Sequence, residues 1–569
     1  MNQYLQILKN HKWAIILAVL IGIIMAIPHI YFIVDNKEVY QGIMMSGLDE
    51  EYYLARMQEV RDGHYFMASP FWQEYKDQPN LWPPLSENLA VLTGRFFGLN
   101  LINTVLFGNF VFPFLIFLIL YALVYSMSKG KSLALFSAMV ISLAPNLTDP
   151  QSLWRLLSSG QTSDTFLAYS RLISPQIHAL FFFSFFLFFW LFLEKRKWLW
   201  GILSGIVLGL SFYVYPFIWM FIYVFLGLLI LIYFFRKNRF QIKNLFLVMG
   251  IGLLIAIPFA WNLIQAMAHP FYKETSLRFG WVQSHSPQLG VTMLILLGFY
   301  LLLFPRTLKG RYDFGLAIVL TPFILANQQI ITGYLMGPAR YHNYYYKPFA
   351  LIFLIIIFFT IFKRKIVRFS FIAVVLFVSI YNAWMVQTTS YRANEPSAIE
   401  YQRYSEVLSW LNINAQKDEV AMGNLFVSGF ITTYTSLNSL VNSGNHYSLV
   451  SDKELSDRMF IIYYFDGLKP EQAKEVFYEK REDVSKYIYS QRYQKQFGSY
   501  DKIPDEKLDD LVVSYSQFYQ IPIDQTFKKY NTKYLVWDVS NDLNWQIDNY
   551  HFLTEVYQDN NFKIYAFKE

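Results

Sequence analysis

The sequence predicts a mainly α-helical polytopic membrane protein, with about eleven transmembrane helices and a C-terminal extracytoplasmic α/β domain. Three observations carry that expectation. The chain is 54% hydrophobic and 19% aromatic but only 16% charged, against about 45–50% apolar and about 25% charged in an ordinary soluble domain. Nearly uninterrupted apolar blocks fill residues 1–388, whereas 389–569 has the composition of a soluble domain. Charge divides at the same point: from Thr389 onward there are 26 acids and 19 bases, a net −7, while the whole chain is +7 and the preceding part therefore +14.

A spanning helix needs roughly 20 mostly apolar residues. Spans are expected near 13–34, 101–127, 132–147, 178–193, 198–214, 216–235, 244–266, 288–304, 314–332, 348–362 and 369–387, the third, fourth and fifth being short. Lys9 and Lys12 precede the first span without a small-residue cleavage site, so it reads as a retained helix. Alternate connections carry Lys129 and Lys131, then Lys195 to Lys197, Arg236 to Lys243, Arg306 to Arg311 and Lys363 to Arg368, opposed only by Glu194 and Asp313. Cytoplasmic loops collect Lys and Arg, so these connections and the N-terminus are expected inside. The connections 35–100, 148–177, 267–287 and 333–347 and the C-terminal domain are then outside. A basic excess placed in short loops is not a nucleic-acid footprint. The absence of cysteine removes disulfide, thiolate and cysteine–metal chemistry.

In the tail, an amphipathic stretch covers 399–411, a short strand 419–422, and a helix Leu425–Tyr434. A buried strand is expected at 534–537 and a hairpin over 553–567, turning at Asp559–Asn561. The middle, 466–530, has a charged helical pattern. The tail holds no Gly-rich phosphate loop and no nucleophile elbow, so it reads as a packing or acceptor-guiding domain.

Ionisable groups near the bilayer centre are costly and usually functional, and the spans contain essentially none. Their polar residues are amides, Asn109 and the run Asn327-Gln328-Gln329, suited to joining helices. An ion-coupled transporter normally needs buried carboxylates. Charge gathers instead just outside the membrane. The first outer loop reads Ser46-Gly47-Leu48-Asp49-Glu50-Glu51-Tyr52-Tyr53 and continues as a helix toward Gly63, with Tyr53, Met57 and Val60 on one stripe. Asp49 stands where that helix begins, as an N-cap or as a carboxylate able to take a proton from an acceptor hydroxyl. The loop closes on Leu81-Trp82-Pro83-Pro84-Leu85. The second outer loop holds Asp149, Arg155, Asp164 and Arg171. The fourth holds Arg340, His342 and Lys347 among tyrosines, a donor-rich patch suited to phosphate.

This combination resembles the GT-C class of polytopic membrane glycosyltransferases, among them protein O-mannosyltransferases and aminoarabinose transferases. Asp49-Glu50 is similar to the Asp-Glu pair of the O-mannosyltransferases, and Pro83-Pro84-Leu85 to their His-Pro-Pro-Leu stretch, with Trp82 in place of the histidine. No Trp-Trp-Asp motif like that of the oligosaccharyltransferases is present. The resemblance implies an enzyme moving a mannose-like or other sugar from a polyprenyl-phosphate donor to the hydroxyl of an extracytoplasmic glycan, lipid or protein acceptor, in a bacterial plasma membrane. It implies Asp49 as base with Glu50 as helper, and Arg171, Arg340 and His342 on the donor phosphate. It also allows a divalent cation on Asp49 with Asp164 or Asp149. An O-antigen polymerase or ligase, a lipid or solute transporter and a non-catalytic cell-surface assembly protein are the competing expectations. The transporter lacks the internal repeat that would favour it.

Overall fold

The structure, a computed structural model, describes residues 6, 9–45, 50–162, 165–305, 309–337, 340–444 and 447–568. Seven helical segments are long and apolar enough to cross a membrane: Lys12–Asp35, Leu101–Ser128, Leu172–Lys195, Pro216–Phe235, Gly310–Thr332, Tyr341–Ile361 and Lys365–Asn414. An eighth is a bent pair, Arg239–Ile255 and Ile257–Ala268, angled by 57°. The other three expected spans fall on shorter apolar helices, Lys131–Leu143, Trp198–Val214 and Val291–Leu303. The fourth span is longer than expected. It starts at Leu172 rather than 178, because the chain turns into the bundle through a break at Ser174, whose φ and ψ are −124° and 114°.

Packing inside the bundle is aromatic and close. Phe182, Phe186, Phe221, Phe225, Phe314 and Phe349 are all fully buried against one another. Lipid tails supply no hydrophobic force between helices, so small residues that let backbones approach are favoured. Gly205 and Gly209 do this where Trp198–Val214 meets Arg239–Ile255: an added Cβ would lie 2.7 Å from Ile251 Cβ and 2.5 Å from Ile255 Cβ respectively. The buried amides act as the sequence suggests. Gln176 Nε2 donates to Asn109 Oδ1 at 2.8 Å, and Asn327 Nδ2 and Gln329 Nε2 donate to the carbonyls of Gln288 (2.8 Å) and Ser286 (2.9 Å). These last bonds steady a small antiparallel pair, β1 (Val282–Gln283) with β2 (Tyr334–Leu335).

The basic connections gather at one end of the bundle. Lys129 pairs with Glu194, Arg236 with Asp313 at 2.6 Å, and Lys131 Nζ donates to the Asn10 carbonyl at 3.0 Å. Both acids that interrupt the basic loops are thus neutralised by a neighbouring loop. The mixed-charge connections occupy the opposite end, where the C-terminal region caps them.

That region carries a five-stranded mixed sheet in the order β4-β3-β5-β7-β6. Its strands are β3 (Val420–Met422), β4 (Asn438–Ser439), β5 (Thr532–Asp538), β6 (Leu553–Gln558) and β7 (Phe562–Phe567). The expected hairpin is β6–β7, its turn fixed by Asp559 Oδ1 accepting from Asn561 and Phe562 N–H at 2.7 Å each. The helix Leu425–Tyr434 forms as expected, N-capped by Asn424. The amphipathic stretch at 399–411 differs. The last membrane helix continues from Lys365 to Glu400, with Pro396 inside it, and passes through one 3-10 turn, Tyr401–Tyr404, into Ser405–Asn414.

Three sets of contacts fix the cap to the mixed-charge connections. Lys76 of the first loop lies 2.8 Å from Glu59 and 2.7 Å from Asp418 of the cap, and His64 lies 2.9 Å from Asp418. The Arg458 guanidinium is sandwiched between Trp72 and Tyr530, 3.8 and 4.2 Å from the ring centroids. Arg278 of the third loop pairs with Asp452 at 2.5 Å and donates to the Val450 carbonyl at 2.6 Å.

Candidate functional site

The first long connection, 35–100, builds the floor of the site. In its helix Glu50–Arg61, Met57 and Val60 of the expected stripe are fully buried, together with Leu54, while Tyr53 is half-buried at the cavity. The opposite side is buried as well, because Arg56 finds a partner there. Its Nε donates to Glu87 at 2.6 Å and its Nη2 to the Trp82 carbonyl at 2.8 Å. A buried charge needs such pairing, and here the pair locks three pieces together: the first helix, the Trp82-Pro83-Pro84 turn, and the helix Leu85–Phe96 that starts directly after the prolines. The helix Leu425–Tyr434 of the cap lies over this assembly. Gly429 sits above Glu51, where a Cβ would stand 3.9 Å from Glu51 Oε2.

Between floor and cap is a cavity of about 600 Å³. Both arginines singled out from the sequence, Arg171 and Arg340, line it, as does Glu51. Arg340 enters from the connection 333–347. Among the described residues its guanidinium donates one hydrogen bond, from Nη1 to the Tyr215 hydroxyl, and other N–H groups remain for an incoming anion. It is ringed by aromatic faces, with Trp82, Tyr215 and Phe217 centroids at 6.0, 5.9 and 5.4 Å. These rings hold the cation by their quadrupoles. Tyr215 is fixed in turn by His178, stacked at 4.1 Å. Tyr53 completes this wall, and burial raises the pKa of its phenol well beyond the ordinary range, so it stays a neutral hydrogen-bonding group.

The roof comes from the cap: Thr433, Asn442, Gly444, Tyr447, Ser490 and Gln491. Tyr447 stacks toward Trp82 and Phe279, at 6.1 and 4.9 Å. None of these was singled out from the sequence, since no local motif marks them.

The other expected residues lie as follows. Glu50 is buried (8% exposed) and lines a small crevice shared with Arg171, beside the main cavity. His342 stacks on Tyr346 at 5.6 Å and does not line the cavity. Asp49 and Asp164 lie outside the described residues. Asp149 is engaged as an N-cap, accepting from Gln151 N–H at 3.2 Å and Ser152 Oγ at 2.8 Å. Among the described residues no three His, Asp or Glu side chains converge to hold a metal ion. The described side chains do not make a divalent site.

No family model matches the chain, and no curated protein matches its sequence. Solved structures of similar arrangement exist. The oligosaccharyltransferase of Archaeoglobus fulgidus matches at 14% identity and TM-score 0.47, over 93% of this chain and 70% of that one. ArnT from Cupriavidus metallidurans, solved bound to undecaprenyl phosphate, matches at 11% identity and TM-score 0.49, over 98% of each chain. The arabinofuranosyltransferase AftD from mycobacteria matches at 11% identity and TM-score 0.45, over 99% of this chain and 40% of that one. At these identities and scores the likeness is one of general arrangement.

Proposed function

We propose that this protein is a membrane glycosyltransferase that takes a sugar from a polyprenyl-phosphate donor and transfers it to a hydroxyl of an acceptor outside the cytoplasm. The observation that carries the proposal is the meeting of Arg171 and Arg340, from two different outer loops, with Glu51 and an aromatic wall in one cavity at the outer-loop end of the bundle. A long isoprenoid tail keeps such a donor in the bilayer, so its phosphate and sugar reach the protein at this level.

The chemistry follows from charge. The acceptor oxygen attacks the anomeric carbon while the bond from that carbon to the phosphate oxygen breaks. The electron pair leaves with the phosphate, and the acceptor proton passes to a carboxylate. Charge therefore grows on the phosphate, where Arg340 and Arg171 supply planar N–H forks. Asp49 is the proposed base, with Glu50 as helper, because they directly precede Glu51 in the sequence and Glu51 lines the cavity. Holding donor and acceptor together replaces a bimolecular encounter.

The test uses full-length protein in nanodiscs with a radiolabelled polyprenyl-phosphate sugar. Wild type is expected to bind it, and the double variant Arg171→Ala/Arg340→Ala to lose binding. Equal binding by both would overturn the proposal.

A further inference from the structure

A second cavity, of about 460 Å³, opens beside the first and shares Leu425 and Ser443 with it as a common wall. It lies between two helices of the cap, Asp452–Phe465 and Arg481–Tyr489. Each presents a stripe to it at the spacing that puts residues on one helical face. The first stripe is Met459, Ile462, Tyr463 and Asp466, the last just past the helix end. The second is Asp483, Lys486 and Tyr487. The second stripe does not stop at the groove. The next position in its series, Ser490, and the adjacent Gln491 line the main cavity. The helix ends at Tyr489 and the chain turns at Ser490, whose φ is 47°, so the groove face of the helix leads up to the site and the turn after it lines the site itself.

We infer that this groove binds the acceptor, and that the acceptor is a glycan chain whose terminal hydroxyl reaches past Ser490 to the donor. The inference rests on the glycosyltransferase proposal for the purpose of the groove, but the binding it assigns is measured independently. Its chemistry is that of a polyol site. Asp466 and Asp483 balance Lys480 and Lys486, so the groove does not select by net charge. Tyr463, Tyr487 and the apolar bed of Met459 and Ile462 match the C–H faces of sugar rings, and the charged side chains around them exchange hydrogen bonds with hydroxyls. A peptide acceptor is less well served. Extended peptides dock by adding a strand to a sheet edge, whereas both walls here are helices with their backbone groups already paired.

The experiment measures binding of neutral gluco-, manno-, galacto- and arabino-tetrasaccharides to the full chain in nanodiscs, by saturation-transfer NMR, alongside Ser/Thr-rich decapeptides. Wild type is expected to bind at least one tetrasaccharide and none of the peptides. Asp483→Ala/Lys486→Ala alters only exposed side chains and is expected to weaken that binding at least tenfold while leaving polyprenyl-phosphate binding unchanged. With active protein, acceptor KM rises and kcat holds. Lack of any tetrasaccharide binding, preference for the peptides, or unchanged affinity in the double variant would each overturn the assignment. Loss of donor binding in wild type would instead strike the glycosyltransferase proposal, leaving the glycan measurement to stand by itself.

Discussion

Trp82 and Arg340 meet across the wall of the cavity, the guanidinium carbon 6.0 Å from the indole centroid, although 258 positions separate them in the chain. The indole stands at the position where the resemblance would set a histidine. Its backbone carbonyl is held by Arg56, so the ring is a fixed platform for the cation.

Arg340→Lys is expected to lower affinity for a polyprenyl phosphate by about tenfold, or ~1.4 kcal/mol. Lysine keeps the charge but lacks the planar fork and stacks poorly on the surrounding rings. Tyr215→Phe, which removes one hydrogen bond and keeps the ring, should have a smaller effect. Titration of nanodisc-held protein with undecaprenyl phosphate reads both, and equal affinities for Lys and Arg would remove the fork from the argument.

Asp49→Asn separates a base from a helix cap. Asparagine caps nearly as well as aspartate but cannot take the acceptor proton. Sugar transfer should fall by roughly 10²–10⁴-fold with donor binding and thermal stability retained. Transfer assays on matched amounts of purified protein decide it, and full activity would turn attention to Glu50 and Glu51.

The clasp between first loop and cap has a calculable pH response. Burial pushes the Glu59 carboxyl up to about 7, against the opposing pull of Lys76. An acid whose folded pKa is raised costs nothing below its unfolded value near 4.5 and costs its full amount above the folded one. Stability should therefore fall as pH rises from about 4.5 to about 7, by on the order of 1–3 kcal/mol. Asp418, held below the usual carboxylate range chiefly by Lys76, acts oppositely: its contribution is present above about 3.8 and is lost only in stronger acid. Melting curves of wild type and Glu59→Gln across this window should show a slope in the first and a flatter line in the second.

Gly205→Leu should destabilise the bundle by about 1–3 kcal/mol, the usual cost of overpacking, since its Cβ alone would stand 2.7 Å from Ile251. Gly227→Ala, where a Cβ meets nothing within 4 Å, is the matched control and should be neutral or slightly stabilising. Thermal unfolding in one detergent compares them.

The longer spans were legible because each is a local property, an apolar run of sufficient length; Lys131–Leu143, Trp198–Val214 and Val291–Leu303 follow the expected apolar runs but are shorter helices. The β6–β7 hairpin was legible for the same reason. Residues that meet only through long-range packing were not. Glu50 and Glu51 are adjacent in sequence, and which of them faces the cavity depends on the rotation of their helix, set by the Arg56–Glu87 pair. Arg340 and Tyr344 face the cavity one turn apart, while His342, between them, turns toward Tyr346. The groove stripes at 459–466 and 483–490 follow helical spacing and could have been found by it, but nothing local marks them as lining a cavity.

The helix Lys365–Glu400 has a mechanical consequence. Its 36 residues make a rod of about 54 Å, some 24 Å longer than a hydrocarbon layer of about 30 Å. The helix runs from the final span into the cap with one proline, Pro396, near its C-terminal end, so the cap is mounted on a mast and not suspended from a tether. The clasps at Asp418, Arg458 and Asp452 fix the cap's far side to the loops. Mast and clasps together make a frame that holds Tyr447 against Trp82 at one separation.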